Sequence, residues 1–129
     1  MKTIAENKDG NKIVLFVDDE KIVLEVGSLM LQKLGYRVIT ASKGDEALEI
    51  LKENKVALVI LDMKMPSMNG VEIYSQLKNI HANVKVLLAS GYIGDHSEKG
   101  LFNMGFDGFI QKPFDFKQLS EKLKAILDS

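Results

Sequence analysis

The chain has 129 residues, no cysteine and a formal net charge of −1, with 46% hydrophobic and 27% charged residues. This length suits one domain with a single core, and the balanced charge gives no reason to expect nucleic-acid or membrane binding. The lack of cysteine excludes disulfides, thiol catalysis and thiolate metal sites, and no apolar stretch approaches the roughly 20 residues that a membrane span needs.

Residues 1–11 are polar, and they lack both periodicity and the apolar core of a signal peptide. We interpret them as a flexible leader and expect a cytoplasmic protein whose single domain covers residues 12–129. Five short runs after the leader predict strands, because most are apolar throughout, as in strands buried on both faces of a parallel sheet. These runs are residues 13–17, 37–41, 56–61, 84–88 and 107–111.

Apolar residues at helical spacing follow each predicted strand. The first stripe ends before Gly35 and contains Ile22, Val23, Val26, Leu29, Met30 and Leu34. A fourth helix around residues 97–104 is weakly patterned, and a fifth begins after Asp115, a suitable N-cap. The alternation predicts an α/β fold, (βα)5, with a doubly wound five-stranded parallel sheet in the flavodoxin-like strand order 2-1-3-4-5.

Charged side chains stand at the ends of three predicted strands. Asp18 and Asp19 follow the first strand, Asp62 follows the third, and Lys112 follows the fifth. The carboxyl ends of parallel strands share one edge of the sheet, where ligands of such folds bind. Because converging carboxylates repel one another unless a cation joins them, this edge predicts a site for Mg²⁺, a cation that prefers oxygen ligands.

A carboxylate at such a site can act as a nucleophile toward phosphorus and form an aspartyl phosphate. The metal and Lys112 would neutralise the repulsion between the attacking carboxylate and the anionic phosphoryl group. Ser90, at the end of the fourth predicted strand, could donate a hydrogen bond to a phosphoryl oxygen.

The chain resembles the receiver domain of two-component response regulators over residues 12–128. Five segments carry the resemblance, in the expected order and spacing, and each alone is weak. They are Val17-Asp18-Asp19-Glu20, residues 41–48, residues 61–70, Ala89-Ser90-Gly91 and Lys112-Pro113-Phe114.

The resemblance implies that Asp62 accepts a phosphoryl group from a histidine kinase or a histidine phosphotransfer protein. It implies that Asp19 and Asp62 bind Mg²⁺ directly, together with the backbone carbonyl of Lys64, while Asp18 helps through water. The resemblance also implies a phosphorylation switch and not a turnover enzyme. Bulky residues at 64 and 92 predict slow self-dephosphorylation.

Three further residues have implied roles at or near the site. Ser90 would move toward the phosphoryl group, Phe109 would turn inward as Ser90 moves, and Lys112 would contact the phosphoryl group after a cis bond to Pro113. The change would reach the surface of the fourth and fifth predicted helices and the fifth strand. That surface would bind an unknown downstream protein or, in a phosphorylation-dependent homodimer, a second copy.

Simpler interpretations remain open for the individual residues. The run Asp18-Asp19-Glu20 could cap the first helix, because acidic residues suit helix N-termini. Lys112 could be a solvent-exposed lysine. Ser90 could only help to form a turn, and Phe109 could be an ordinary core residue. Three other functions compete: a haloacid-dehalogenase-type phosphatase, an FMN binder and a pseudo-receiver that is not phosphorylated. The phosphatase normally has Asp-x-Asp after its first strand, and adjacent acids would repel the phosphate of FMN. Whether the domain stands alone is open.

Overall fold

The computed structural model describes residues 12–63, 70–91 and 105–127. The leader predicted for residues 1–11, the helix predicted around residues 97–104, Lys64 and Tyr92 lie outside these segments. None of the helices in the described segments is long and apolar enough to span a bilayer.

Five parallel strands form one sheet in the order β2-β1-β3-β4-β5, which confirms the predicted topology. The strands are β1 Ile13–Val17, β2 Arg37–Ala41, β3 Val56–Asp62, β4 Lys85–Ser90 and β5 Gly108–Gln111. Two strands end later than predicted, at Asp62 and Ser90. The parallel ladder continues there, because the amide of Met63 donates to Ala89 (2.8 Å) and the amide of Lys112 donates to Ser90 (2.8 Å).

Four helices cover the two faces of the sheet within the described segments. They are α1 Lys21–Lys33, α2 Gly44–Glu53, α3 Gly70–Ile80 and α4 Phe116–Leu127. The core has one cluster on each face: α2 and α3 contribute to the first, and α1 and α4 to the second. We call these the α2/α3 face and the α1/α4 face. Helices on both faces explain the nearly continuous apolar strands.

Two predicted helix boundaries are confirmed. Gly35, just beyond α1, has a φ of 98°, a left-handed conformation that glycine adopts without a Cβ clash. At α4, the Asp115 carboxylate accepts from the Gln118 amide (2.8 Å) and the Gln118 side chain accepts from the Asp115 amide (2.9 Å). This reciprocal capping box starts the helix at Phe116.

The stripe predicted on α1 is only partly correct. Ile22, Val26 and Leu29 are 64%, 45% and 62% exposed, whereas the buried positions of this helix are Gly27 and Leu31. Gly27 lies against the buried Phe16 ring, and a Cβ there would overlap that ring. The close approach at Gly27 therefore decides which side of α1 faces the core, and three apolar side chains remain outside it.

Candidate functional site

The two carboxylates of the site lie on neighbouring strands. Val17 pairs with Leu61 in the β1–β3 register, so Asp18 and Asp62 follow side by side at the carboxyl edge of the sheet. Both side chains are buried. The amide of Asp18 donates to the carbonyl of Ala41 on β2 (3.1 Å), which fixes the backbone at this edge. The sheet therefore holds two acidic groups together without exposing them to bulk water.

Lys112 follows the edge strand β5, and its ammonium contacts both carboxylates. Its Nζ lies 2.9 Å from Oδ2 of Asp18 and 3.3 Å from Oδ1 of Asp62, and its side chain is 15% exposed. Glu20 Oε1 lies 3.6 Å from the same ammonium. The structure thus brings together Asp18, Asp62 and Lys112 as the sequence predicted.

The charge of Lys112 is stabilised by these partners. Burial alone would lower the pKa of the Lys112 ammonium, but the hydrogen bond to Asp18 and the charges of Asp62 and Asp18 outweigh it, so the pKa is raised. Lys112 therefore supplies a fixed positive charge to the site at neutral pH.

Ser90 lies at the same edge, between the strands that carry Asp62 and Lys112. It is the last residue of β4, it is buried, and its carbonyl accepts from the Lys112 amide (2.8 Å). The peptide bond between Lys112 and Pro113 is cis, as predicted. The ends of three adjacent strands, β3, β4 and β5, thus place an aspartate, a serine and a lysine at one edge of the sheet.

The alternative that the acidic run only caps α1 is partly correct for Asp18. Its Oδ1 accepts from the amide of Glu20 (2.9 Å), while Oδ2 contacts Lys112. Glu20 is the N-cap of α1 and makes no capping bond with its own side chain. One carboxylate therefore orders the entry to the helix and also belongs to the site.

The donor set fits a hard divalent cation. Carboxylate oxygens of Asp18, Asp19 and Glu20 can all lie within 4.8 Å of one another, and Asp62 is adjacent to Asp18. Oxygen donors grouped in this way suit Mg²⁺. The sequence predicts no role in metal binding for Glu20. Its adjacency to Asp18 and Asp19 was the signal that could have suggested such a role. Lys64 lies outside the described segments.

An apolar groove begins at the site. Its lining includes Glu20 and Lys112 of the site, Ile22 and Val26 of α1, and Phe114 from the segment between β5 and α4. A second depression continues past Val26 to Phe116 on α4. The exposed side of α1 therefore forms an apolar rim next to the charged cluster.

Phe109, the predicted switch residue, occupies the middle of β5 opposite Leu88 of β4. It is half-buried and packs on the α2/α3 face. Nζ of Lys122 on α4 lies 5.2 Å from the centroid of its ring. Phe109 is therefore only partly a core residue, since one side of it contacts a charged surface residue.

Comparisons with known proteins agree with this arrangement. The chain matches the response regulator receiver domain over residues 14–124. It is 37% identical over 126 residues to the sensor kinase CckA of Brucella abortus (strain 2308), covering 96% of this chain and 13% of that protein. It is also 32% identical over 117 residues to the alkaline phosphatase synthesis transcriptional regulatory protein PhoP of Bacillus subtilis (strain 168). That match covers 91% of this chain and 49% of PhoP. The chain thus spans about half or less of these curated relatives.

Among solved structures, it is similar to the response regulator TrrA of Thermotoga maritima, which was crystallised in complex with Mg²⁺-BeF. The TM-score is 0.79 and the identity 33%, covering 89% of this chain and 98% of that one.

Proposed function

The chain belongs to the response regulator receiver domain family, and we propose that it is a signalling switch in which Asp62 accepts a phosphoryl group from a phosphohistidine. The observation that carries this proposal is the contact of one lysine ammonium, Lys112, with both Asp18 and Asp62. A buried carboxylate beside a fixed cation has the charge balance that attack on an anionic phosphoryl group requires.

In the proposed transfer, a carboxylate oxygen of Asp62 forms a bond to phosphorus while the bond from phosphorus to the donor's imidazole nitrogen breaks. The electron pair of the broken bond stays on that nitrogen, which takes up a proton from solvent. The product is an acyl phosphate on Asp62. Lys112 would then contact a phosphoryl oxygen, and the Ser90 hydroxyl would donate a hydrogen bond to another.

We assign Mg²⁺ binding to Asp18, Asp19 and Asp62, with the backbone carbonyl of Lys64. The metal would neutralise charge on the phosphoryl group. The grouped carboxylate oxygens support this assignment, as does the Mg²⁺-BeF complex of the related TrrA. Asp18 also contacts Lys112, which favours an outer role for it, through water.

The donor would be a histidine kinase or a histidine phosphotransfer protein. A macromolecular donor that places its phosphohistidine against Asp62 must contact the rim of the site. The exposed Ile22 and Val26 lie on that rim, and apolar contacts there would help to hold the donor during transfer.

The signal would leave the site through Ser90 and Phe109. Phosphorylation would bias an equilibrium between two existing conformations, with Ser90 moving toward the phosphoryl group and Phe109 turning inward. The surface around β5 and α4 would then bind a downstream protein or a second copy of the chain.

Intact mass after incubation with acetyl phosphate tests this function. We expect one phosphoryl adduct in the presence of Mg²⁺, little adduct in EDTA, and none in Asp62→Asn. Asp45→Asn makes the same acid-to-amide change at an exposed position outside the site and should label normally. A protein that neither labels nor responds to Mg²⁺-BeF would be a pseudo-receiver. Catalytic turnover of acetyl phosphate without a stable adduct would instead favour a phosphatase.

A further inference from the structure

The contact between Lys122 and Phe109 joins opposite faces of the sheet. Phe109 packs on the α2/α3 face, whereas α4, which carries Lys122, packs on the α1/α4 face through Leu119, Leu123 and Ile126. β5 is an edge strand, so a side chain from α4 can pass around the edge and reach the ring. The ammonium of Lys122 lies 5.2 Å from the ring centroid, within the range of a cation–π interaction.

The position of Lys122 is fixed by its own helix. Leu119 and Ile126 lie three residues before it and four residues after it, and both are buried against the sheet. Gly108, next to Phe109, allows the helix to approach β5 closely, because a Cβ at Gly108 would lie 3.1 Å from Cδ1 of Ile126. The stem of Lys122 therefore leaves a helix that is packed against the sheet, and its ammonium lies over the ring.

We propose that Lys122 is a positioning residue that holds Phe109 in its half-exposed orientation and thereby opposes the activated conformation. The inference rests on the proposed function, in which Phe109 turns inward on phosphorylation. An inward ring would leave the ammonium, and the cation–π interaction would be lost. A contact made in only one of two conformations shifts the equilibrium toward that conformation.

The affinity for Mg²⁺-BeF measures this bias, since that ligand stands in for the phosphoryl group and would bind the activated conformation better. Lys122→Met keeps the long apolar stem and removes the charge. We expect it to bind Mg²⁺-BeF about two- to five-fold more tightly than the wild type, the factor that a partly exposed cation–π interaction gives. Lys122→Arg keeps a cation over the ring and should bind like the wild type.

Lys124→Met is the matched control, because Lys124 is an exposed lysine of the same helix. It should leave the affinity unchanged. A second measurement, the aromatic resonances of selectively labelled phenylalanine, should show a shifted Phe109 ring in Lys122→Met and not in Lys124→Met. The urea midpoint of Lys122→Met should lie below that of Lys124→Met by no more than the loss of this one contact explains, which would exclude a general loss of stability as the cause.

Two failures are distinguishable. A wild-type protein that does not bind Mg²⁺-BeF would overturn the proposed function and this inference with it. A wild type that binds, with Lys122→Met binding equally or more weakly and an unchanged Phe109 ring, would overturn only the inference.

Discussion

Replacing Lys112 with methionine should destabilise the fold in the absence of divalent cations. The substitution keeps an unbranched side chain of similar length but removes the ammonium that contacts Asp18 and Asp62. Two buried carboxylates would then face each other at the end of adjacent strands. Burial of unpaired charge is the reason for the expected loss.

The geometry sets the magnitude. At an effective dielectric constant of about 20, unit charges separated by 2.9 Å or 3.3 Å attract by about 5–6 kcal/mol. Desolvation of the charged groups and repulsion between the carboxylates offset much of this attraction. Removing one partner of a buried ion pair costs about 3–5 kcal/mol. Because the Lys112 side chain keeps 15% exposure, we expect a loss of about 3 kcal/mol, or ~10 °C in Tm.

Urea unfolding in EDTA, followed by circular dichroism, measures the loss. Lys52→Met is the matched control, since Lys52 lies 3.7 Å from Glu49 in an exposed pair and should contribute less than about 1 kcal/mol. Mg²⁺ should restore part of the stability of Lys112→Met. Equal stabilities for the two variants would refute the reasoning that Lys112 holds the carboxylates together.

Three further predictions concern pH, backbone and metal. The raised pKa of Lys112 stabilises the fold below the ordinary value of 10.5, and this contribution is lost as pH rises through the folded-state pKa. Urea titrations between about pH 9 and 12 should therefore show a larger loss of stability in the wild type than in Lys112→Met, where only other groups such as Tyr74 titrate. Gly105→Ala should lower the free energy of unfolding, measured in urea, by about 1–3 kcal/mol, because Gly105 has a φ of 104° and an added Cβ would overlap the Tyr74 hydroxyl. The control Gly91→Ala, where an added Cβ would meet open space, should cost less than about 1 kcal/mol. Asp19→Asn should weaken Mg²⁺ binding by roughly ten-fold or more in calorimetry, because it removes a charged ligand; an unchanged affinity would exclude Asp19 as a ligand.

The sheet and most of the charged cluster could be predicted because their signals are local. Apolar runs that end in Asp18, Asp62 and Lys112 indicate parallel strands with charges at one edge, and the topology then brings those charges together. The strand ends were less predictable. Ser90 belongs to β4 because of a hydrogen bond from Lys112, which is distant in sequence.

Features that depend on packing between distant elements could not be predicted. The stripe on α1 contained enough apolar residues for several faces, and the choice among them depends on Gly27 lying against Phe16. The contact of Lys122 with Phe109 likewise depends on how closely α4 approaches the edge of the sheet. In both places a glycine, Gly27 or Gly108, permits the approach, and its partner is not visible in the local pattern.

The most direct test of the central claim is to locate the phosphoryl group chemically. After phosphorylation with acetyl phosphate and Mg²⁺, borohydride reduces an aspartyl phosphate to homoserine, which tandem mass spectrometry of peptides can place in the sequence. We predict homoserine at position 62 alone. Homoserine at position 18 or 19, or a phosphoryl adduct that yields none, would contradict the assignment of Asp62 as the acceptor.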